Sequence, residues 1–321
     1  MEAALVTPLD IRYLLLLQTF REQIHDRLTP LMESVSLFSI TYLIVLPILV
    51  YWMIDKKSGL YTLASYSLCY GINAIVKLTV CAYRPWIRDP RIRPAGDSIR
   101  TAGGYSFPSG HTSTAGPIYG GMAVSARKRW KWLSAFGVFM ILLTGFSRNY
   151  LGVHTPQDVF VAIFESVASL LVVAKIFDEV QAHPEKENRL LLLCAVFGVI
   201  AMVYVSVKPY PMTYVNGSLL VDPKSMVESG YSGIALLIAF PAARYVEKTW
   251  VRFEATGVTP RGVLLCAIGS VGLWLILDYA KSLLSAWMGR AWGRFAYTWV
   301  LIFYSVALYP MILKRFSGKN D

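Results

Sequence analysis

Ser147 to Asp158 reads S-R-N-Y-L-G-V-H-T-P-Q-D, a polar turn set between two long apolar runs, 132–149 and 156–177. Each run approaches the ~20 residues that a helix needs to cross the hydrocarbon of a bilayer. The turn therefore predicts the fold on both sides of itself: two membrane helices joined by a short connection at one surface. Within it, Thr155 reads as an N-cap, Pro156 fits the first helical position, and Asp158 falls three residues after the cap, the capping-box spacing.

The same pattern extends outward. Apolar runs at 34–54, 60–82, 109–126, 190–207, 226–244, 262–281 and 295–313 join the first two. The expectation is an all-α polytopic membrane bundle of about nine spans. Charged breaks separate them, at Asp55-Lys56-Lys57, at Arg127 to Lys131 and from Asp178 to Arg189. Ahead of the first span, 9–31 mixes Leu14 to Leu17 with Arg21, Glu22, His25, Asp26 and Arg27, which suits an amphipathic helix lying in the interface. Three parts are expected: an interfacial segment at 1–33, a five-helix core at 34–180 and a four-helix extension at 181–321. Met1 to Pro8 carries no basic residue and no small-residue cleavage site follows, so no cleavable signal peptide is expected.

Composition excludes a pair of soluble domains. The chain is 55% apolar and 16% charged, with a mean hydropathy of +0.48. A soluble domain carries about 25% charged residues. The net charge of +11 suits anionic headgroups or a phosphorylated substrate. The basic residues are scattered between apolar segments, which argues against a nucleic-acid partner. Cys69, Cys81, Cys194 and Cys266 fall inside apolar runs and read as core or lipid-facing residues.

Alternating the spans puts 83–108, 150–155, 208–225 and 282–294 on one face. That face holds twelve Lys and Arg residues, three of which have a chemical reason to be there, and the opposite face holds sixteen. The positive-inside rule makes the opposite face cytoplasmic and the first face extracytoplasmic or lumenal. Arg12, Arg21 and Arg27 at the amino-terminal end narrow the margin.

Three clusters with chemical content share that first face. Lys77 to Pro85 reads K-L-T-V-C-A-Y-R-P; Lys77 and Arg84 lie two turns apart, and Pro85 stops the helix. Pro108 to His111 reads P-S-G-H. There Ser109 suits an N-cap, Gly110 admits close approach to the backbone, and the unpaired first amides make an anion site that His111 can reach. In the third cluster Asp158 lies four residues from His154, within reach of one imidazole nitrogen. A carboxylate there fixes the tautomer and leaves the other nitrogen free to attack. Basic helix ends and capped helices are ordinary features taken singly. Arg148, His154 and Asp158 at this spacing have no structural requirement behind them.

K-x6-R-P, P-S-G-H and S-R-x5-H-x3-D, in this order, resemble the signature of the type-2 phosphatidic acid phosphatase (lipid phosphate phosphatase) superfamily, whose relatives include glucose-6-phosphatase and vanadium haloperoxidases. The resemblance covers about residues 30–177. It implies that Lys77, Arg84 and Arg148 hold the phosphoryl oxygens, with the Ser109 hydroxyl and the Gly110 amide. It implies that His154 attacks phosphorus and forms a phosphohistidine, that Asp158 orients His154, and that His111 protonates the leaving group and then activates water. It implies no metal and no cofactor. The expected partners are a phosphorylated lipid and the surrounding membrane lipids; oligomeric state is not legible.

The substrate is less legible. Phe38 to Asp55 and L-G-V-H-T-P-Q-D look closest to the sphingosine-1-phosphate phosphatase branch. Phosphatidate, an isoprenyl diphosphate such as dolichyl or undecaprenyl diphosphate, and a soluble sugar phosphate stay open. So do transfer of the phosphoryl group to a second lipid and transport without catalysis. Arg88, Arg91, Arg93 and Arg100 lie beside the site, either to read a second phosphate or acidic headgroup, or to meet the anionic lipid surface. Lys208 to Lys224 lies on the active face as a lid or as a plain connector. Asn216-Gly217-Ser218 fits a glycosylation acceptor. Glu165 is an intramembrane carboxylate in need of a partner. Glu228 and Asp278 lie nearer helix ends, and Asp278 can pair with Lys281.

Overall fold

The computed structural model describes residues 8–215 and 217–316. Met1 to Thr7, Asn216 of the glycosylation pattern and Lys319 of the cytoplasmic charge count lie outside the described residues. The chain is all-α, 79% helical. In order the helices are α1 (Leu9–Gln23), α2 (Thr29–Thr41), α3 (Val45–Leu49), α4 (Lys56–Val80), α5 (Pro85–Arg88), α6 (Gly110–Ala126), α7 (Lys131–Tyr150), α8 (Pro156–Ala182), α9 (Glu187–Val207), α10 (Pro223–Val246), α11 (Pro260–Leu275), α12 (Lys281–Met288), α13 (Arg290–Phe303) and α14 (Tyr309–Phe316). Between α9 and α10 a small antiparallel hairpin pairs β1 (Tyr214–Val215) with β2 (Ser218–Leu219).

Local chemistry sets these boundaries. Asp55 caps α4 by accepting from the Lys57 and Ser58 amides at 3.2 and 3.0 Å. Thr155-Pro156, Asp222-Pro223 and Thr259-Pro260 open α8, α10 and α11 alike: an oxygen that accepts from a first-turn amide, then a proline that lacks the amide no partner would reach. Cys81, at φ 55°, turns the chain out of α4 before Pro85.

Among the described residues, six helices are long and apolar enough to cross a membrane: Lys56–Arg88, Pro156–Ala182, Pro184–Val207, Pro223–Val251, Pro260–Met288 and Arg290–Phe316. The pair Thr29–Thr41 and Val45–Ile54, bent by 47°, makes a seventh if it forms one span. The apolar helices mark an integral membrane protein. Of the nine expected spans, six or seven are long and apolar enough by themselves, and α6 and α7 are the two that are not. Helix α6 has 17 residues and is buried on nearly all sides, so its surroundings are protein and not lipid. Gly116 lies against Ser166 and Gly120 against Leu170, so close that a β-carbon at either would collide with α8. This small-x-x-x-small spacing lets two membrane helices touch along their backbones, and it replaces apolar bulk with glycine, serine and threonine. Helix α7 exposes Trp132, Phe136, Phe139 and Leu142, but its last turn is polar and buried at Ser147, Arg148 and Asn149.

Helix α4 ends, α6 begins, α7 ends and α8 begins at one end of the bundle, and there the three motif clusters converge. Away from it, an aromatic core holds the bent pair against the last helices. The Trp52 indole N–H donates to the Ser305 carbonyl at 2.7 Å, and its ring lies 4.7 Å from that of Tyr309. The Tyr51 and Phe253 rings meet edge-on at 4.9 Å.

Candidate active site

Asp158 organises the site. As the third residue of α8 it completes a capping box: its Oδ2 accepts from the Thr155 amide at 2.9 Å, and its own amide donates to Thr155 Oγ1 at 3.3 Å. The same Oδ2 receives His154 Nδ1 at 3.1 Å and the Ser106 hydroxyl at 2.5 Å. A carboxylate oxygen with that donor at Nδ1 puts the imidazole proton there and leaves the lone pair on Nε2. The Asn149 side chain donates to the His154 carbonyl at 2.9 Å, which fixes the backbone of the turn. His154 is 1% exposed.

Arg84 occupies that lone pair. Its Nη1 lies 2.8 Å from His154 Nε2 and donates to the Val153 carbonyl at 2.9 Å. Its Nε and Nη2 donate to the Gly104 and Gly103 carbonyls, each at 3.2 Å. One guanidinium thus ties the end of α4 to the 103–104 loop and to the 150–155 turn. Burial first, and then the Arg84 charge, pull the His154 pKa well below the ordinary 6.5, against the opposing hydrogen bond that His154 donates to Asp158. The imidazole is therefore neutral at neutral pH, the form that keeps a lone pair.

The P-S-G-H turn is joined to the same place. The Ser109 amide donates to the Asp158 carbonyl at 2.9 Å, linking the first turns of α6 and α8. Ser109 caps α6: its Oγ accepts from the Thr112 amide at 3.4 Å and the Thr112 hydroxyl at 2.9 Å. A β-carbon built on Gly110 meets no atom within 4 Å, so there is open space beside the start of α6. Lys77 donates to the Ser106 carbonyl at 3.0 Å and to the Pro108 carbonyl, and so staples the turn that leads into α6.

Arg148 and His111 complete the cluster. Arg148 has no solvent exposure, and its Nη1 donates to Ser36 on α2 at 2.5 Å. Its Nε and Nη2, and Nε2 of His111, are buried without a hydrogen-bond partner among the described residues. His111 lies within electrostatic reach of Arg148, His154, Arg84 and Lys77. A buried guanidinium with two unpaired nitrogens is costly and needs an acceptor, an anion above all.

All the predicted site residues therefore lie at one end of the bundle. Direct bonds join Arg84, His154, Asp158 and Ser109; Arg148 and His111 stand within electrostatic range; Lys77 reaches the site through the Ser106–Pro108 turn. Sequence reading missed Ser106, Asn149 and Ser36. Ser106 lay two residues before Pro108, and Asn149 directly followed Arg148, so position within the motifs was the available signal. Ser36 lies on a distant helix, and nothing in its local sequence marks it.

The four loop arginines have carboxylate partners: Arg88 with Asp10 at 2.8 Å, Arg91 with Asp89 at 2.7 Å, Arg93 with Glu22 at 2.6 Å and Arg100 with Asp97 at 3.5 Å. Helix α1 supplies two of these, and its Gln18 and Arg21 also donate to loop carbonyls. Lys208 stacks on Tyr210 and donates to the Leu78 carbonyl at 2.7 Å, and Tyr83 donates to Thr213 at 2.8 Å, so the 208–224 segment packs against the end of α4. A side chain on Gly104 would collide with Met226, which brings the start of α10 to the same loop. Glu165 accepts from Asn73 at 3.1 Å and Ser113 at 3.3 Å. Glu228 pairs with Arg290 at 3.5 Å, and Asp278 accepts from the Tyr42 hydroxyl at 3.4 Å in place of the expected pairing with Lys281.

Residues 58–182 match the family model of the PAP2 superfamily, which includes phosphatases acting on lipid phosphates. The matched segment contains every candidate residue from Lys77 to Asp158. No curated protein and no solved structure matches the chain.

Proposed function

We propose that the chain hydrolyses a phosphate monoester of a membrane amphiphile through a phosphohistidine at His154. The observation that carries this reading is the buried, half-unpaired Arg148 guanidinium with the unpaired His111 Nε2, set beside an imidazole whose tautomer Asp158 holds. Phosphoryl oxygens would take the free Arg148 donors, the Gly110 amide and the Ser109 hydroxyl. Arg84 would move from His154 Nε2 to a phosphoryl oxygen, which frees the lone pair as it stabilises the incoming charge. His154 Nε2 then bonds to phosphorus as the phosphorus–oxygen ester bond breaks, and His111 gives its proton to the departing alkoxide. In the second step His111 takes a proton from water, the hydroxide attacks phosphorus, and the phosphorus–nitrogen bond breaks to release phosphate. Lys77, Arg84 and Arg148 supply the positive charge that this transfer requires, so the reading assigns no metal.

The substrate class follows from two supports. The segment matched by the PAP2 model lies among apolar helices, which favours a lipid such as sphingosine-1-phosphate or phosphatidate. The loop arginines are each paired with a carboxylate, which favours a monophosphate over an isoprenyl diphosphate. In the same reading α6 and α7 cross the bilayer with the other helices, residues 34–180 form the catalytic core, 181–321 form an extension, and the site opens on the extracytoplasmic or lumenal face. The test is phosphate release by purified protein in chelator, with sphingosine-1-phosphate, phosphatidate, an isoprenyl diphosphate and glucose-6-phosphate as substrates. Hydrolysis of the lipid monophosphates that vanishes in His154→Ala is expected; activity retained by that variant would overturn the assignment of the nucleophile. Arg91→Ala is expected to leave the ratio of diphosphate to monophosphate turnover unchanged.

A further inference from the structure

A cavity of about 540 Å³ lies at the opposite end of the bundle from His154, and no candidate catalytic residue lines it. We propose that it binds one anionic phospholipid of the leaflet opposite the active site. The proposal rests on the membrane reading of the helices and is independent of the catalytic one.

The walls come from four helices, α4, α8, α9 and α10, and are apolar along their length: Leu60 and Leu68 on α4, Val173 and Phe177 on α8, Leu191 on α9 and Leu237 on α10. Helix α9 packs mainly on α10, which leaves a wedge between α9 and α8. Lys57 at the mouth and Leu68 at the floor are eleven residues apart on one helix. At 1.5 Å per residue the crevice is about 16 Å deep. That is about half of the ~30 Å hydrocarbon thickness, the depth of a single leaflet. Its volume lies within the ~300–1,000 Å³ of small-molecule sites. An acyl chain fits such a slot, and a headgroup then sits at the mouth.

The mouth chooses the charge of that headgroup. Lys56, Lys57 and Arg244 line it against Asp55 and Glu187. Arg244 pairs with Glu187 at 2.8 Å, and Lys56 pairs with Glu247 at 2.7 Å. Asp55 is engaged in capping α4. Lys57 is left with a neutral partner, the Gln181 side-chain oxygen, at 2.7 Å. Lys248 shares Glu187 with Arg244, at 2.8 Å, so Lys56, Lys57, Arg244 and Lys248 meet three carboxylates, Asp55, Glu187 and Glu247. The surplus of one positive charge, with Lys57 exposed and in no ion pair among the described residues, is complementary to a phosphodiester lipid with net negative charge.

The test is native mass spectrometry of the full-length protein in detergent, with phosphatidylglycerol and phosphatidylcholine of equal chain length as probes. The wild type is expected to retain one phosphatidylglycerol with about five-fold preference, the worth of one basic residue at an anionic surface. Lys57→Gln is expected to abolish the preference, and Ala64→Trp, which fills the crevice, to abolish retention of both lipids. Equal retention of the two lipids by the wild type would overturn the proposal, as would a preference that survives Lys57→Gln. Circular dichroism checks the fold of Ala64→Trp; if that variant does not fold, the exposed Lys57→Gln decides alone.

Discussion

The two ends of the bundle treat buried charge in opposite ways. At the end remote from His154, carboxylates match cations: Glu247, fully buried, is met by Lys56 and Arg244, and Glu187 by Arg244 and Lys248. At the motif end Lys77, Arg84 and Arg148 face one carboxylate within the turn that carries His154, Asp158, and two nitrogens of Arg148 have no acceptor among the described residues. Matched pairs hold a fold together. A buried surplus of one sign costs stability, and it marks the place where a ligand of the other sign belongs.

The comparison can be broken or sharpened by substitution. The largest effect is expected for His154→Ala, a fall in phosphate release on the order of 10⁴-fold with unchanged circular dichroism, the scale seen when a nucleophile or its base is removed from a coupled catalytic set. Arg148→Met is expected to lower kcat/KM by about 10²–10³-fold, as for loss of one transition-state donor, while its melting temperature stays level or rises, because a buried charge with unpaired donors is removed. Glu247→Gln is the counterpart at the other end. It is expected to cost about 3 kcal/mol in stability, since two cations lose their buried partner, and to leave kcat/KM unchanged. If Arg148→Met melts early and Glu247→Gln does not, the contrast between the ends is wrong. Ser106→Ala is expected to lower kcat about ten-fold, the low end of what an orienting hydrogen bond contributes, with KM unchanged.

The smallest effect is one of pH. Burial and the Arg84 charge lower the His154 pKa, so the neutral imidazole survives as pH falls, and the acid limb of kcat/KM expected if it is the nucleophile should lie below 6.5. Arg84→Gln removes a positive neighbour, so the limb should move upward in pH while the rate falls. A limb already above 6.5 in the wild type would contradict the neutral, buried imidazole.

Much of this was legible because it is local. Thr155, Pro156 and Asp158 announced a capping box within four residues, and the box also delivers the carboxylate to His154. The long apolar runs announced the helices. What was not legible depends on packing between distant segments. Helix α6 reads as a span by its start and length of run, yet its glycine, serine and threonine content reflects burial against α4, α7 and α8. The Arg84 bond to His154 Nε2 joins residues 70 apart in sequence. The arginines of the 86–104 loop looked free to bind anions, and only tertiary structure brings Asp10 and Glu22 of α1 against them.

That clamp by α1 also governs how substrate arrives. With Arg88 and Arg93 neutralised, the rim of the site projects little net field, so association with an anionic amphiphile is expected to respond only weakly to ionic strength. Unfastening the first helix would uncover two guanidinium groups at the entrance, and long-range attraction, damped by salt over ~10 Å at 0.1 M, would then speed encounter with any acidic molecule. The amino-terminal helix, which touches no reacting atom, would in this way trade capture rate for selectivity.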